Sequence, residues 1–344
     1  MKGVHVFYPN KYRNGMVWDN NTRQYVEDDA RAAEYASPLV LHDFDVIVAY
    51  LSILNWKKYN GKIYLYTNDI GLEIFTKLGL AQLYDHVDTT ILKDQEDKWD
   101  IDPNIFWAAH KVMVINQLKA PFVIMDFDTY IEMDLTETDF YDNDLGLFHF
   151  EAPSLTYPFW TNIKGARDFP WPDNWDFSSN AVNVGVVYFG NQQALKEYTD
   201  ISLKFMDGNK EPSIYEQFNT RMTFAEQKIL GEFVKHTDYT TSLLISGLYY
   251  PMYENDNMIG FCDVQNLRTG IFKEEDEGIH KHSNINYAKL FLNHLWGYKA
   301  VMVVNMYKRL TFVLRLREKL KKSFPDYVEQ CEKALENWYY DNIK

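Results

Sequence analysis

The first 130 residues alternate between strand-like and helix-like segments joined by short connections. Strands are indicated by "GVHVFYP", "KIYLYT" and "PFVIMDF", which are short runs rich in apolar and β-branched residues. Helices are indicated by "HDFDVIVAYLSILNWKKY", "GLEIFTKLGL" and "IFWAAHKVMVINQL", where apolar residues recur at helical spacing. The turn Asn60-Gly61 and the helix-ending Gly79 punctuate this pattern. The alternation predicts an α/β fold with a mostly parallel central sheet covered by helices.

The pattern changes after residue 130. Residues 149–180 are rich in Trp, Pro, Asn and Asp and predict a long surface excursion. It is followed by a predicted buried strand, "AVNVGVVYFGN", two helices, "QQALKEYTDISLKFM" and "FAEQKILGEFVKH", and weaker strands around "DVQN" and "KLFLNHLWGYK". From residue 303 the chain is predicted to be helical, with a break at Pro325. We therefore expect one domain over residues 1–302 and a C-terminal helical extension over 303–344.

Charge and composition exclude some classes of function. The formal net charge of −14 argues against sequence-independent nucleic-acid binding, which requires Lys and Arg to neutralise phosphates. Nothing in the sequence approaches the ~18 apolar residues of a membrane-spanning helix, and the N-terminus passes directly into strand-like sequence. Two cysteines fit a reducing compartment better than a disulfide framework. The expected location is the cytoplasm.

Asp126 and Asp128 stand two positions apart where the apolar strand "FVIM" ends. In an extended chain, side chains at this spacing point to the same side, and two carboxylates there repel each other. A hard divalent cation, Mg²⁺ or Mn²⁺, removes that conflict and often shares its coordination with substrate phosphates. The alternative is that both are ordinary polar residues where a strand reaches the surface.

A second candidate segment is "LFLNHLWGYK", in which His294 follows an apolar run. Imidazole is a suitable third ligand for Mn²⁺. Gly297 allows close approach of a phosphate, and Lys299 can neutralise one. An isolated His beside a strand is more often a structural residue, so the interpretation depends on the combination with the two aspartates.

Four segments in this order, "VHVFYP", "VIMDFDTYI", "NVGVVYFG" and "HLWGYK", resemble the GT-A glycosyltransferases that use nucleotide sugars. The nearest are the glycogenin and bacterial lipopolysaccharide galactosyltransferase type. The resemblance covers most of residues 1–300 and implies a single GT-A, Rossmann-like domain. Its nucleotide-binding half would span residues 1–130 and its acceptor half 131–302.

The resemblance also implies a set of site residues. Asp126, Asp128 and His294 would hold Mn²⁺ or Mg²⁺, which bridges the phosphates of a nucleotide-diphosphate donor, with a UDP-sugar as the expected donor. The late motif departs from the family's, because Tyr298 alone separates Gly297 from Lys299 and Ala300 follows. The remaining donor and acceptor contacts implied by the resemblance are Val6, Phe7, Tyr8, Asn68, Asp69, Lys111, Asn183, Gly185, Gly297 and Lys299.

The expected reaction transfers a hexosyl group to a glycan or lipid-linked acceptor. Glu226 and Gln227, which begin a helix after the strand that carries Asn183, are the candidate catalytic pair, and Asp176 is an alternative base. The structural alternative for Glu226 is a capping box with Thr223 as the N-cap. The sequence does not distinguish retention from inversion of the anomeric configuration.

Two further segments allow two interpretations each. The tryptophans of the surface excursion either stack on acceptor sugars or fix that segment to the domain. The basic segment "YKRLTFVLRLREKLKKSF" either lies on an anionic membrane, bringing the enzyme to a lipid-linked acceptor on the inner face, or packs on the domain with a solvated basic face. The tryptophans in question are Trp160, Trp171 and Trp175.

Two other classes of function compete with the glycosyltransferase. A haloacid-dehalogenase-type phosphohydrolase also has two Asp residues in this pattern after an apolar strand, but its strand usually stands near the start of the domain and a Thr usually occupies the position of Tyr130. A non-catalytic carbohydrate-binding protein would use the aromatic loops and a metal site for recognition alone.

Overall fold

The computed structural model of the protein describes most of the chain. For the strands at 16–19, 24–27, 248–254, 257–263 and 292–294 the backbone alone is described. The described residues are 1–9, 16–19, 24–27, 41–102, 105–151, 159–207, 209, 220–245, 248–254, 257–263, 292–294 and 306–342.

The helices follow the predicted pattern. Among the described residues before 302, six helices are seen: α1 Asp43–Tyr59, α2 Asp69–Lys77, α3 Ile91–Lys98, α4 Ala109–Gln117, α5 Gln192–Asp207 and α6, which runs through Thr220–Thr223, Phe224–Lys228 and Ile229–Lys235. Two more helices, α7 Met306–Ser323 and α8 Val328–Asn342, form the C-terminal extension and are separated by a 3₁₀ turn at Pro325–Tyr327. Gly79 has φ +64°, the left-handed conformation that glycine adopts without strain just after a helix.

A seven-stranded sheet forms the centre of the fold, in the order β12-β8-β11-β6-β1-β4-β5. Its strands are β1 Lys2–Phe7, β4 Lys62–Thr67, β5 His86–Asp88, β6 Phe122–Met125, β8 Leu145–Leu147, β11 Val186–Phe189 and β12 Thr241–Leu243. Only β11 runs against its neighbours, and every other pairing is parallel. The predicted α/β class with a mostly parallel sheet and C-terminal helices is confirmed.

The other described strands form three smaller sheets. One has the order β10-β9-β13-β14, and two pairs stand apart, β15 with β7 and β2 with β3. These strands are β2 Met16–Asp19, β3 Gln24–Glu27, β7 Thr129–Ile131, β9 Phe150–Glu151, β10 Ala181–Val182, β13 Leu248–Glu254, β14 Asn257–Asp263 and β15 Leu292–His294.

The prediction of one continuous strand over "AVNVGVVYFGN" is wrong. β10 and β11 belong to different sheets, and residues 183–185 carry the chain from one to the other. Asn183 causes the break, because its side-chain Oδ1 accepts a hydrogen bond from the backbone N–H of Gly185 at 2.9 Å.

The surface excursion is anchored by its aromatic side chains. The ring of Trp160 stacks on Phe177 at 4.7 Å between centroids, and Trp171 lies 5.5 Å from Phe205 of α5. The indole N–H of Trp171 donates to the carbonyl of Ala166 at 2.6 Å. These contacts support the interpretation that the tryptophans fix the segment to the domain.

The C-terminal extension packs on the domain. Val313, Leu316 and Leu320 of α7 are buried in the core cluster that contains α1, and Arg309 forms an ion pair of 2.9 Å with Asp43. Leu314 remains 51% exposed, so one face of α7 is solvated. This is the packed arrangement of the two predicted; contact with a membrane stays a prediction. In the stretches that the structure describes, no helix has the length and apolar character that a membrane crossing requires.

Candidate functional site

Most of the predicted site residues lie at one edge of the central sheet. The register pairs His5 of β1 with Met125 of β6, and Phe7 with Thr67 of β4, so the three parallel strands end side by side. Because β11 is antiparallel, its first residue, Val186, pairs with Met125. The residues after β1, β4 and β6 and those before β11 therefore share the edge where α/β proteins bind ligands.

Asp126 and Asp128 lie in a turn instead of an extended strand, which corrects the expected geometry. β6 ends at Met125, and the backbone N–H of Thr129 donates to the carbonyl of Asp126 at 2.9 Å. Phe127, between the two aspartates, packs edge-on against Phe7 at 5.5 Å in the core. This ring fixes the turn, with an aspartate on either side of it.

Lys111 connects Asp126 to Glu226, and we call these three residues the Lys111 cluster. Nζ of Lys111 lies 2.8 Å from Oδ1 of Asp126 and 2.6 Å from Oε1 of Glu226. Burial lowers the pKa of Lys111, but the two carboxylates outweigh it and the pKa is raised. Burial raises the pKa of Glu226 to about 7, a shift that Lys111 opposes and Asp126 increases. The cluster thus places two carboxyl groups around one ammonium at the ligand-binding edge.

Glu226 lies in a π-helical turn in the middle of α6, Phe224–Lys228. The wider turn changes the pattern of backbone hydrogen bonds, and α5 supplies two donors to its carbonyls. The hydroxyl of Tyr198 donates to the carbonyl of Glu226 at 2.8 Å, and that of Ser202 to the carbonyl of Ala225 at 2.5 Å. Thr223 has helical φ and ψ, so it is not an N-cap and the capping-box alternative is wrong. Gln227, the neighbour of Glu226, is 8% exposed.

The segment from Asn183 to Gly185 contacts Asp126 and Lys111 through its backbone. The carbonyl of Gly185 accepts the N–H of Asp126 at 3.0 Å, and the carbonyl of Val184 lies 3.4 Å from Nζ of Lys111. The amide of Asn183 donates to Oε1 of Glu151 at 2.5 Å, and both side chains are almost fully buried. The segment where the chain changes sheets therefore borders the Lys111 cluster.

Asp128 lies next to a buried histidine of β1. Nδ1 of His5 is 2.8 Å from the hydroxyl of Tyr84, and Nε2 is 3.1 Å from the hydroxyl of Ser52. The Ser52 hydroxyl donates to the carbonyl of Thr129, so the proton of the ring belongs on Nε2 and Nδ1 accepts from Tyr84. Burial lowers the pKa of His5 to about 3, although the charge of Asp128 acts in the opposite direction. His5 is therefore neutral.

His294 meets the aspartate turn through strand pairing. β15 pairs antiparallel with β7, and the register places His294 opposite Thr129, the residue that follows Asp128. The backbone of His294, a residue far later in the chain, thus lies beside the backbone of the predicted ligand Asp128. Its role as a ligand stays a prediction, and Gly297 and Lys299 lie outside the described residues.

Tyr8, after β1, lies in a polar group at the same edge. Its ring stacks on His110 at 3.4 Å between centroids, and its hydroxyl is hydrogen-bonded to Glu96 and Asn68. Glu96 is also hydrogen-bonded to Nε2 of His110 at 3.1 Å, a contact that lowers the pKa of Glu96. Tyr8 and Asn68 therefore adjoin each other, as a shared contact to one ligand requires.

The other residues predicted to border the base differ in exposure. Asn68 is the N-cap of α2 and accepts the N–H of Gly71 at 2.8 Å, and Asp69 is exposed in the first turn. Val6 is partly buried against the core. Phe7 is 2% exposed, so its side chain does not border a ligand.

Asp176 belongs to a separate group of charges, which we call the Glu232 cluster: Asp176, Glu232, Lys235 and His236. Nζ of Lys235 lies 2.7 Å from Oδ1 of Asp176, and Nε2 of His236 lies 3.2 Å from a carboxylate oxygen of each acid. The hydrogen bond from Lys235 lowers the pKa of Asp176 far below its usual value. The ligand atoms of the acids and the histidine all lie within 4.8 Å of one another, and both carboxylate oxygens of Glu232 already accept backbone N–H groups, from Phe177 and Ser179.

The aspartate turn fits a hard divalent cation by its donor chemistry. Two carboxylates flank one partly buried ring, and the backbone register brings a histidine to the same turn. Asp126 keeps 31% of its side chain exposed, so its oxygens are accessible from the edge of the sheet. Carboxylate and imidazole are ligands that Mn²⁺ accepts.

Sequence reasoning did not identify Glu151, His5 and the Glu96–His110 pair. His5 carried a usable signal, since it is a titratable residue between Val4 and Val6 in an apolar strand. Glu151 carried none, because its partner Asn183 approaches from another strand and the pairing depends on the tertiary structure.

The solved structures similar to this chain include glycosyltransferases. An active-site mutant of LgtC is 11% identical, with a TM-score of 0.40 and coverage of 86% of each chain. Mouse xyloside xylosyltransferase 1 is 9% identical, with a TM-score of 0.36 and coverage of 71% of this chain and 85% of that one. The glycosyltransferase GlyE of Streptococcus pneumoniae TIGR4 is 16% identical, with a TM-score of 0.35 and coverage of 86% and 54%. At these values the likeness does not assign an activity.

The sequence comparisons give one family. No curated protein matches this chain. The model of a family of unknown function (DUF6734) matches residues 25–272, which is more than half of the chain. The chain therefore belongs to this family of unknown function, DUF6734.

Proposed function

We propose that the protein is a metal-dependent glycosyltransferase that moves a hexosyl group from a nucleotide-diphosphate sugar to a carbohydrate acceptor. The observation that carries the proposal is the β7–β15 register, which pairs His294 with the residue after Asp128. A chance Asp-x-Asp triplet would not require a histidine from a distant segment beside it. The Lys111 cluster, at the same turn, supports the proposal independently.

The metal would be held by Asp126, Asp128 and His294. When bound, Mn²⁺ or Mg²⁺ supplies Lewis-acid stabilisation of the charge that develops on the departing diphosphate. Lys111 holds the carboxylate of Asp126 in a fixed orientation through its 2.8 Å contact. The partly buried ring of Phe127 fixes the turn between the two aspartates through its edge-on contact with Phe7.

Glu226 is the proposed catalytic carboxyl group, with Gln227 beside it. A pKa of about 7 means that Glu226 is partly protonated near neutral pH, so it can accept or release a proton. Asp176 is the weaker candidate, because its lowered pKa makes it a poor base. Asn183 and Gly185 are proposed to border the transferred sugar, since Gly185 contacts Asp126 through the backbone and Asn183 holds Gly185 in place.

The first experiment identifies the donor. Thermal shifts of the full chain are measured with nucleoside diphosphates and their sugars, each with and without Mn²⁺. We expect stabilisation by one nucleotide sugar that depends on Mn²⁺. Stabilisation by no nucleotide would contradict the proposal, and binding of free sugar alone would favour the carbohydrate-binding alternative.

The second experiment separates the enzyme classes. Release of nucleoside diphosphate and of inorganic phosphate is followed with the identified donor and with a generic phosphomonoester. We expect the first product and not the second. Phosphate release from the monoester that is lost in Asp126→Asn would favour the phosphohydrolase.

A further inference from the structure

The helix α7 reaches across α1 to the strand that follows the aspartate turn. Its apolar side packs in the core, and Lys319 lies near the end of the helix that faces β7. Nζ of Lys319 is 2.5 Å from Oε2 of Glu132, the residue directly after β7, and 5.2 Å from the centre of the ring of Tyr130 within it. The basic extension therefore touches the strand that continues from Asp128.

The position of β7 depends on such contacts, because it is not a strand of the central sheet. In the described part of the chain, β7 pairs with β15 alone. Ser52 of α1 donates to the carbonyl of Thr129, and the amide of Asn60, directly after α1, donates to the carbonyl of Met133 at 2.9 Å. These bonds and the contacts of Lys319 hold β7 and the residues that follow it.

The contact between Lys319 and Glu132 can affect the aspartate turn through β7 without touching it. The side chains of Lys319 and Glu132 are 31% and 12% exposed, and Tyr130 is 4% exposed, so the pair is shielded on the Glu132 side. The ammonium of Lys319 lies over the ring of Tyr130 and also meets the carboxylate of Glu132. A shift of β7 would shift both Asp128, at one end, and β15, along its edge.

We propose that α7 is a strap that keeps the β7–β15 pair in register beside the aspartate turn, with Lys319 as the positioning residue. Lys319 acts through Glu132 and Tyr130 and touches no reacting group. The structural part of this inference stands apart from the function. Its consequence, that the strap sets the spacing between Asp128 and His294 and thereby the affinity for Mn²⁺, rests on the proposed function.

The test uses the full chain and a matched control. Lys319→Met removes the ammonium and keeps the stem. Arg317→Met removes an ion pair of the same helix, 2.6 Å to Glu332, which joins α7 to α8 and does not touch β7. Amide hydrogen exchange of residues 129–131 and 292–294 is measured by mass spectrometry or NMR, and Mn²⁺ affinity by electron paramagnetic resonance.

We expect Lys319→Met to accelerate exchange in both strands roughly three- to tenfold and to weaken Mn²⁺ binding by a similar factor. Arg317→Met should leave both unchanged. The charge exchange Lys319→Glu with Glu132→Lys should recover most of the protection. This recovery separates positioning from a general loss of stability.

The outcomes distinguish the two proposals. Equal exchange in Lys319→Met and Arg317→Met would overturn the strap, whatever the metal does. Faster exchange in Lys319→Met, in a protein whose wild type binds no Mn²⁺, would keep the strap and contradict the metal site. Faster exchange with unchanged Mn²⁺ affinity would overturn the link between them.

Discussion

The Lys111 cluster and the Glu232 cluster both combine carboxylates with lysine, but they differ in how many donors each carboxylate has. In the Glu232 cluster each carboxylate is matched by donors: Glu232 accepts the backbone N–H groups of Phe177 at 3.0 Å and Ser179 at 2.8 Å, besides its ion pairs. In the Lys111 cluster one ammonium serves two carboxylates. Burial raises the pKa of Glu226, whereas the hydrogen bond from Lys235 lowers that of Asp176.

The difference indicates what each cluster does. Glu232 holds a turn in which Phe177 has φ +55°, a left-handed conformation that costs free energy for a residue with a side chain. The contacts of Glu232 are therefore those of a structural residue that anchors the surface excursion. The Lys111 cluster lies at the ligand-binding edge with a shifted pKa, which is typical of a functional site. Proximity of acids and a histidine alone points to the Glu232 cluster in the described residues, whereas burial and the shifted pKa point to the Lys111 cluster.

The largest expected effect is on turnover, and it tests whether the two clusters differ in function. Asp128→Ala should reduce Mn²⁺-dependent donor turnover by about 10³-fold, because the stabilisation of the leaving diphosphate is lost. Asp176→Ala should change turnover by less than about threefold, since the Glu232 cluster is assigned a structural role. Nucleoside diphosphate release measures both. Unchanged turnover in Asp128→Ala, or equal losses in the two variants, would remove the distinction.

The next effect concerns stability. Lys111→Met leaves Glu226 and Asp126 without their shared cation, and we expect the free energy of unfolding to fall by about 3–5 kcal/mol. Removing the buried acid as well, in Lys111→Met with Glu226→Leu, should recover part of the loss. Urea denaturation measures both. A loss below ~1 kcal/mol in the single variant would mean that the cluster is not strongly coupled.

A third prediction concerns acid pH and His5. The pKa of His5 falls from 6.5 in a free side chain to about 3 in the folded protein, so the unfolded chain binds more protons between these values. This contribution to stability is complete above pH 6.5 and declines by up to about 1.4 kcal/mol per pH unit as the pH falls towards 3. His5→Gln should flatten this part of the stability profile. Urea titrations between pH 4 and pH 6.5 measure the slope of the unfolding free energy against pH. The same slope in His5→Gln as in the wild type would show that His5 is accessible to protons in the folded state.

The smallest effect is expected in the Glu232 cluster. The ion pair between Lys235 and Asp176 is exposed on both sides, 37% and 57%. Lys235→Met should therefore change the free energy of unfolding by no more than about 1 kcal/mol. Thermal and urea denaturation test this. A loss comparable to that of Lys111→Met would mean that the two clusters do not differ in the way described.

The fold was predictable where local patterns sufficed. The periodicity of residues 43–59 and the runs at 62–67 and 122–125 gave helices and strands close to those observed. The single strand predicted over residues 181–191 was wrong, because a side-chain hydrogen bond from Asn183 redirects the chain between sheets. A run of apolar residues indicates a strand, but it does not indicate which of two sheets the strand joins.

The site was predictable in its residues more than in its geometry. Asp126 and Asp128 were singled out from an extended strand, but a turn brings them to the edge. Lys111 follows from a resemblance, and its ion pairs with Asp126 and Glu226 join three segments that lie far apart in the sequence. The contribution of Glu151 and the support of β7 by α7 depend on contacts between distant segments, which a single sequence does not encode visibly.

The central claim is that Asp128 and His294 hold one divalent cation. Electron spin-echo envelope modulation of Mn²⁺ bound to the full chain with a nucleoside diphosphate, using ¹⁵N-histidine, detects a coordinated imidazole directly. We predict a ¹⁵N coupling in the wild type and in His5→Gln that disappears in His294→Ala, with loss of Mn²⁺ binding in Asp128→Ala. Absence of the coupling in the wild type, or its persistence in His294→Ala, would contradict the claim.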